Sequence, residues 1–462
     1  MPQEYDVIIV GGGPAGIFAA LELTRKDGLK VLLLEKGKDI DRRQCPAREG
    51  KNCASCSPCN LVCGLGGAGA FSDGKLVLST RTGGQFEDYL ARDEAEALIR
   101  QVDETYLRFG ADKRLYDPGK ETAAIQKKAE RAGLQMVPAP IRHLGTEHCQ
   151  AVLKAMRDFL LTRLELGLGV NAARVIVEDG RAIGVETDSG ERYLCRYLVL
   201  APGREGAEWL SREAESLRLT MHNNPVDVGV RVEVPAAVMA PLTDILYEVK
   251  LEFITHTFHD RVRTFCMCPG GEVITESTGG VDPVITVNGH SYARKKTENT
   301  NFALLVSTNF TRPFHEPVAY GKYIARLANI LSGGVLLQRL GDLMQGRRST
   351  PERIAQGLCV PTLKSATPGD LSFVLPYRHL TGLVEMLQVM DRLAPGVAAD
   401  STLMYGVEVK FYSCRPQLSP QLETEISNLF AVGDGAGFSR GLVQASASGV
   451  VAAQAILERE GR

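Results

Sequence analysis

The sequence predicts an α/β chain: a doubly wound nucleotide-binding domain, split along the sequence, with a mixed-sheet α+β domain inserted between its halves. Three observations predict it. A strand, a glycine turn and a helix open the chain. A strand ending in Gly-Asp, then a long small-residue helix, closes it. Between them run segments of period two and of period 3.6.

The opening segment is Asp6 to Val10, an apolar β-branched run suited to a strand buried on both faces. Gly11-Gly12-Gly13-Pro14-Ala15-Gly16 follows and matches G-x-G-x-x-G. Ile17 to Lys26 reads as a helix and Lys30 to Leu34 as a second strand, ending at Glu35. Gly11, Gly13 and Gly16 allow a tight turn and close approach of a pyrophosphate. Pro14 and Ala15 begin a helix whose free N–H groups face it. Glu35 is placed for ribose hydroxyls, with Lys36 and Arg42 just beyond it as further cofactor contacts. With strand, helix, strand and acid all in register, the motif predicts a Rossmann-like dinucleotide site.

The 462 residues suffice for more than one domain, and 44% hydrophobic with 23% charged residues is ordinary for a globular protein. A net charge of -2 and the lack of any Lys/Arg-rich run argue against nucleic acid as a partner. No long apolar run predicts a membrane span, and the acidic N-terminus does not look like a secretory leader. The expected location is cytoplasmic, where clustered cysteines favour metal over disulfide.

Asn428 to Gly435 reads as a strand ending in Gly433-Asp434-Gly435, and a helix from about Leu442 to Leu457 follows Gly441. This resembles the C-terminal FAD motif of the glutathione-reductase-like flavoprotein superfamily. The resemblance implies that Asp434 holds the ribityl and pyrophosphate part of FAD. It also implies that the helix N-terminus at Gly441, Leu442 and Val443 faces the N1–C2=O edge of the flavin. A hairpin over Val175 to Thr187, then a strand ending in Ala201-Pro202-Gly203, resembles a third motif of that superfamily. No second G-x-G-x-x-G follows a strand, so a dedicated NAD(P)H domain is not expected. The expected domains are 1–205, 206–404 and 405–462, the first and last forming the FAD domain and the middle one the substrate domain.

Within the insertion, strict alternation over Val226 to Val234 predicts a half-buried strand. Asp244 to Phe253, Val262 to Cys266 and Phe302 to Ser307 read as further strands, and Val318 to Leu331 and Leu380 to Arg392 as helices. Residues 85–165 read mostly as helix. Gly66-Gly67-Ala68-Gly69-Ala70-Phe71-Ser72-Asp73-Gly74 and Thr264 to Gly271 resemble an uncharacterised FAD-dependent dehydrogenase family, as do Thr297 to Phe302 and Tyr405 to Glu408. That resemblance spans nearly the whole chain and implies the fold and FAD; it does not imply a substrate. Gly66, Gly67, Ala68 and Gly69 have almost no side chain, so their backbone can lie against the cofactor.

Five of the eleven cysteines fall between Cys45 and Cys63. Cys53, Cys56, Cys59 and Cys63 match the ferredoxin-type spacing C-x2-C-x2-C-x3-C, and Cys45 precedes a proline. A [4Fe–4S] cluster is the first expectation, with Cys45 or Cys63 as fourth ligand; a four-thiolate zinc site and free or redox thiols compete with it. Cys266 and Cys268, at i and i+2, are expected on one face of a strand as substrate-side thiols, against the plainer reading of small buried residues. Tyr412 and Arg415 precede the last motif; Arg415 either pairs with a substrate carboxylate or braces a loop.

These readings predict an FAD-dependent oxidoreductase acting on a small organic substrate by hydride transfer at flavin N5, linked to a [4Fe–4S] relay. An electron-carrier protein or NAD(P)H serves as redox partner. Two alternatives stand beside it: an electron-transfer flavoprotein working with a quinone or carrier, and a non-redox or RNA-modifying flavoprotein with structural zinc.

Overall fold

In the computed structural model the described residues are 3–25, 28–46, 54, 56–72, 74–116, 119–137, 139–277, 283–291, 296–310, 314, 316–410 and 414–461. Cys53, Asp73 and Tyr412 lie outside them. The chain forms two compact units. One comprises Met1–Arg114, Arg142–Asn224 and Tyr412–Arg462; the other comprises Leu115–Ile141 and Pro225–Phe411.

The first unit is built on a seven-stranded sheet. Glu165–Leu168, Val31–Glu35, Gln3–Val10 and Arg192–Leu200 lie side by side and parallel. Arg192–Leu200 then divides its free edge. Its first residues pair antiparallel with Arg181–Thr187, and its last three pair parallel with Leu429–Ala431. Ala172–Glu178 completes the hairpin with Arg181–Thr187. Val7, Ile8 and Ile9, and the run from Val31 to Leu34, are buried on both sheet faces, as an apolar run without alternation requires.

Helix Pro14–Leu23 and helix Leu442–Arg459 pack along each other. Small residues set their closeness: a Cβ on Gly449 would stand 2.0 Å from the Ala15 carbonyl oxygen. Helix Arg92–Arg108 packs against Leu442–Arg459, and the Tyr106 and Ser446 hydroxyls share a hydrogen bond of 3.2 Å.

The second unit carries an eight-stranded sheet in the order Thr367–Pro368, Leu336–Arg339, Leu403–Lys410, Val226–Pro235, Asn299–Thr308, Arg261–Pro269, Leu251–Ile254, Gln135–Met136. One face presents Val226, Val228, Val230, Val232 and Val234 to a core shared with helices Ala236–Leu246 and Tyr377–Asp391. The other face is polar but also closed to water. Val226–Pro235 is therefore not the half-buried strand that its alternation predicts: Asp227, Arg231 and Glu233 are all dry. Their charges are met by neighbouring strands rather than by solvent.

Two further expectations change. The stretch Asp244 to Phe253 is not one strand. Helix Ala236–Leu246 runs into it, burying Met239, Leu242, Thr243 and Leu246 at helical spacing, and only Leu251–Ile254 is extended. The unit boundaries fall at 224/225 and 411/412 rather than 205/206 and 404/405. Met221–His222 pairs with Arg415–Pro416 and keeps both segments in the first unit. Residues 115–141 join the second unit through Gln135–Met136, paired with Leu251 and Glu252.

Candidate functional site

In the first unit, the glycine turn, two helix N-termini and a second glycine loop meet. Gly11 has φ +110°, and a Cβ there would stand 2.1 Å from the Ala201 carbonyl oxygen. A Cβ on Gly16 would stand 1.9 Å from the Gly11 oxygen. Glycine is therefore obligatory at both. Pro14 takes the first helical position, where its missing N–H costs nothing, so the N–H groups of Ala15 and Gly16 head the helix.

Glu35 ties this turn together. Its Oε2 accepts from Gly12 N–H at 2.8 Å, and its Oε1 accepts from Gly37 and Gly64 N–H at 2.8 and 2.9 Å. A carboxylate offers about four acceptor sites, so one remains by count on Oε2 for a ribose hydroxyl. The loop after Cys63 is bound to the turn as well: Gly66 N–H donates to the Gly12 carbonyl at 2.7 Å. Gly13 and Gly67 meet backbone to backbone, and a Cβ on Gly67 would be 3.1 Å from the Gly13 Cα. Ala68 and Gly69 continue in the short 3-10 turn Gly67–Phe71. Gly69 lies between Pro14 and Leu442, the first residues of the two helices.

Helix Leu442–Arg459 starts from Gly441, at φ +96°. Asp434 accepts from the Ser439 hydroxyl at 2.9 Å and from Gly441 N–H at 3.3 Å. Burial raises its pKa, while Arg204, Ser439, Gly441 and Arg440 pull it back down. Gly433 N–H donates to the Ser448 hydroxyl at 3.0 Å, and Val443 is buried. Cβ atoms built on Gly203 and Gly441 would meet nothing within 4 Å, although the surrounding turns are tightly packed. Bare glycine backbone, two helix N-termini and a partly satisfied carboxylate suit a dinucleotide such as FAD.

Other sequence candidates lie differently. Lys36 pairs with Glu205, and Arg42 is exposed at the end of the turn Ile40–Arg42. Arg415 braces its own unit: Nη1 binds Gln85 Oε1 and lies 3.5 Å from Asp88, and the guanidinium stands over Tyr89. A β-bulge between Phe265 and Cys268 breaks the expected shared face of Cys266 and Cys268, with Cys266 at φ +47°. Cys268 alone of the two is fully buried, its Sγ 3.3 Å from Arg231 Nη2.

Among the described residues, no three His, Cys, Asp or Glu side chains are grouped to hold a metal ion. Cys45, Cys56 and Cys59 lie near enough for Cys56 and Cys45 to raise the Cys59 pKa, though burial raises it more. Cys63 contacts Glu205: burial, and then Glu205, push its thiol up to about 12.

Like Arg42, Arg43 follows Glu35 closely enough to be expected at an FAD phosphate or adenine or else on the solvated surface, whereas Gln444 gave no sequence signal. Buried Arg43 donates to the carbonyls of Asn60, Leu61, Gly64 and Leu65, shaping the glycine loop. Gln444, in the first turn of Leu442–Arg459, donates from Nε2 to the carbonyls of Ser79, Thr80 and Thr82. Neither stands in a recognisable motif; only folding brings their acceptors to them.

Residues 6–55 match the family model "FAD dependent oxidoreductase", and residues 225–411 match "FAD-dependent protein, C-terminal domain-like". The chain is an FAD-dependent oxidoreductase. It is 28% identical over 482 aligned positions to an uncharacterized protein of Clostridium beijerinckii, covering 98% of this chain and 80% of that protein. Among solved structures it is similar to L-proline dehydrogenase from P. horikoshii, with 12% identity, TM-score 0.42, and 99% of this chain and 95% of that one covered. It is also similar to glycine oxidase from Geobacillus kaustophilus, with 13% identity, TM-score 0.41, and 99% and 95% covered. Among the described residues no helix is long and apolar enough to cross a membrane.

Proposed function

We propose that the first unit seats FAD and that the chain transfers hydride between flavin N5 and a small organic substrate, with residues 225–411 supplying substrate recognition. The observation that supports it most is the meeting of Pro14, Gly69 and Leu442, which brings two helix N-termini and a side-chain-free loop to one place. When bound, FAD supplies a ring that exchanges two electrons as hydride and single electrons with carriers.

The chain's own groups account for the rest of the proposal. Ala15 and Gly16 N–H groups meet the pyrophosphate at the positive end of a helix. Glu35 holds the turn and offers its remaining acceptor to a ribose hydroxyl. Asp434, oriented by Ser439 and Gly441, accepts from cofactor hydroxyls. The N-terminus at Leu442 and Val443 stabilises negative charge set before it. Purified protein should release about one FAD per chain on denaturation, and Asp434→Ala should retain at least tenfold less. Protein that holds no flavin after incubation with excess FAD overturns the proposal.

A second reading adds a cysteine-held [4Fe–4S] relay, with zinc as its rival, fed by an electron-carrier protein or NAD(P)H. The nearness of Cys45 and Cys56 to Cys59 supports it. Either Cys45 or Cys63 would be the fourth thiol. Iron and acid-labile sulfide in anaerobic protein test it. Stoichiometric zinc, or no metal, rejects it.

A further inference from the structure

Helix Pro317–Ser332 of the second unit is built the wrong way round for a surface helix. Its exposed residues are Tyr323, Leu327, Ile330 and Leu331, all large and apolar; every other residue of the helix is buried or half-buried. The polar residues turn inward instead. Asn329 Nδ2 donates to the Ile285 and Gly334 carbonyls at 2.8 and 2.7 Å, and its Oδ1 accepts from Ile285 N–H at 2.8 Å. Lys322 and Arg326 are half-buried and engaged within the chain.

The helix already covers one apolar face. Gly321, Ile324, Ala325 and Ala328 are buried, the last three in the core of the second unit. At about 100° per residue these four span about 100° of arc, and Tyr323, Leu327, Ile330 and Leu331 span about another 100° beside them. A helix that covers a single core needs only the first arc. Other large hydrophobics are exposed among the described residues, but these four share one helix face. Scattered ones need no explanation; a contiguous stripe does.

We propose that a second copy of the chain covers this stripe, in a twofold pair of antiparallel helices. The proposal does not rest on the flavin reading. Spacing supports it: Tyr323, Leu327 and Leu331 stand at i, i+4 and i+8, a ridge centred on Leu327. A twofold axis beside Leu327 sets it against its own copy and brings Tyr323 of each chain to Leu331 of the other, the self-complementary contact such an axis demands. Area supports it as well. Tyr323 is 69%, Leu327 41%, Ile330 73% and Leu331 47% exposed, which leaves roughly 400 Å² of side chain bare per copy. A stable pair buries about 800 Å² per partner, about 65% of it apolar in homodimers, and the stripe supplies most of that apolar share. A lipid surface fits less well. A helix that lies on lipid carries cations along an open polar face, whereas both cations of this helix are half-buried and engaged.

Sedimentation equilibrium of the full-length flavoprotein at micromolar concentration tests this, and the mass of two chains is expected. Leu327→Glu sets two like charges at the axis and should weaken the pair at least about a hundredfold. Leu327→Lys should do the same. Mixing the two variants should restore a one-to-one pair, because the axis then holds one charge of each sign. Ile330→Glu, at the most exposed position of the stripe, serves in place of Leu327→Glu should that variant fold poorly, and should weaken the pair likewise. A wild type that stays a single chain overturns the proposal; should it also float with vesicles of phosphatidylglycerol and phosphatidylcholine, the stripe faces lipid instead. A pair that neither Leu327→Glu nor Ile330→Glu weakens overturns it too, since its interface then lies elsewhere.

Discussion

His379 lies on the inner side of helix Tyr377–Asp391, buried, with Nε2 3.3 Å from the Thr308 hydroxyl and Nδ1 without a partner among the described residues. Burial lowers its pKa to about 4, with Asp260 opposing and Arg378 reinforcing the shift. Between that value and the ordinary 6.5, the unfolded chain binds a proton that the folded chain refuses. Stability therefore rises with pH through this window; it is full above 6.5 and is lost as pH falls toward about 4. The loss from this one residue should be roughly 3 kcal/mol. Urea midpoints at about pH 4.5 and about pH 7.5 should separate more in wild type than in His379→Leu, and equal separations would sink the idea. Arg43 makes a different case. Burial pushes its guanidinium down to about 10 against the pull of Glu35, Cys63 and Cys59, so a nearby acid is not its main anchor. Four backbone carbonyls hold it instead. Arg43→Met should cost about 3 kcal/mol and reduce bound flavin, and Arg43→Lys should rescue little, because an ammonium lacks the planar fork. Full recovery by lysine in chemical denaturation would show that charge alone matters. Neither role could be read in the sequence. An arginine two residues before Cys45 and a histidine in an apolar helix are common features, and their partners lie far along the chain.

At the scale of elements, the local pattern carried most of the information. The G-x-G-x-x-G turn, Glu35, the Ala-Pro-Gly strand end and the Gly-Asp strand end all fall in the first unit where their strands place them. What failed was periodicity where two signals overlapped. Residues 244–253 alternate like a strand, yet the helical spacing of Met239, Leu242 and Leu246 wins over their first part. Alternation in Val226–Pro235 gave the faces correctly but not their burial, because alternation cannot tell solvent from a layer of paired charges. The small-residue run Ala445-Ser446-Ala447-Ser448-Gly449 could have warned of a close helix crossing. Gly449→Ala tests that crossing. Its methyl would meet the Ala15 carbonyl at 2.0 Å, a backbone atom with nowhere to go, so helices Pro14–Leu23 and Leu442–Arg459 must separate. The variant should lose at least about 3 kcal/mol and much of its flavin. An unchanged Tm and flavin-to-protein absorbance ratio would mean that the two N-termini do not depend on this contact.

For the whole molecule, the two units have separate cores, and only one carries the proposed FAD seat. A ligand stabilises what it binds by RT ln(1 + [L]/Kd), about 2.7 kcal/mol at a hundredfold excess over Kd. The chain has a single tryptophan, Trp209, whose Nε1 donates to the Ala173 carbonyl at 2.9 Å inside the first unit. Its fluorescence therefore reports that unit without labels. Arg231, Glu233 and Glu408 sit in the other, where FAD makes no proposed contact. Added FAD should move the tryptophan urea midpoint upward in wild type and in Lys410→Met alike, and should not move it in Asp434→Ala. A midpoint indifferent to FAD in wild type would remove the cofactor from the first unit. A shift retained in Asp434→Ala would leave FAD there but take the closing Gly-Asp turn out of its seat, leaving the opening glycine turn and Glu35 to hold it.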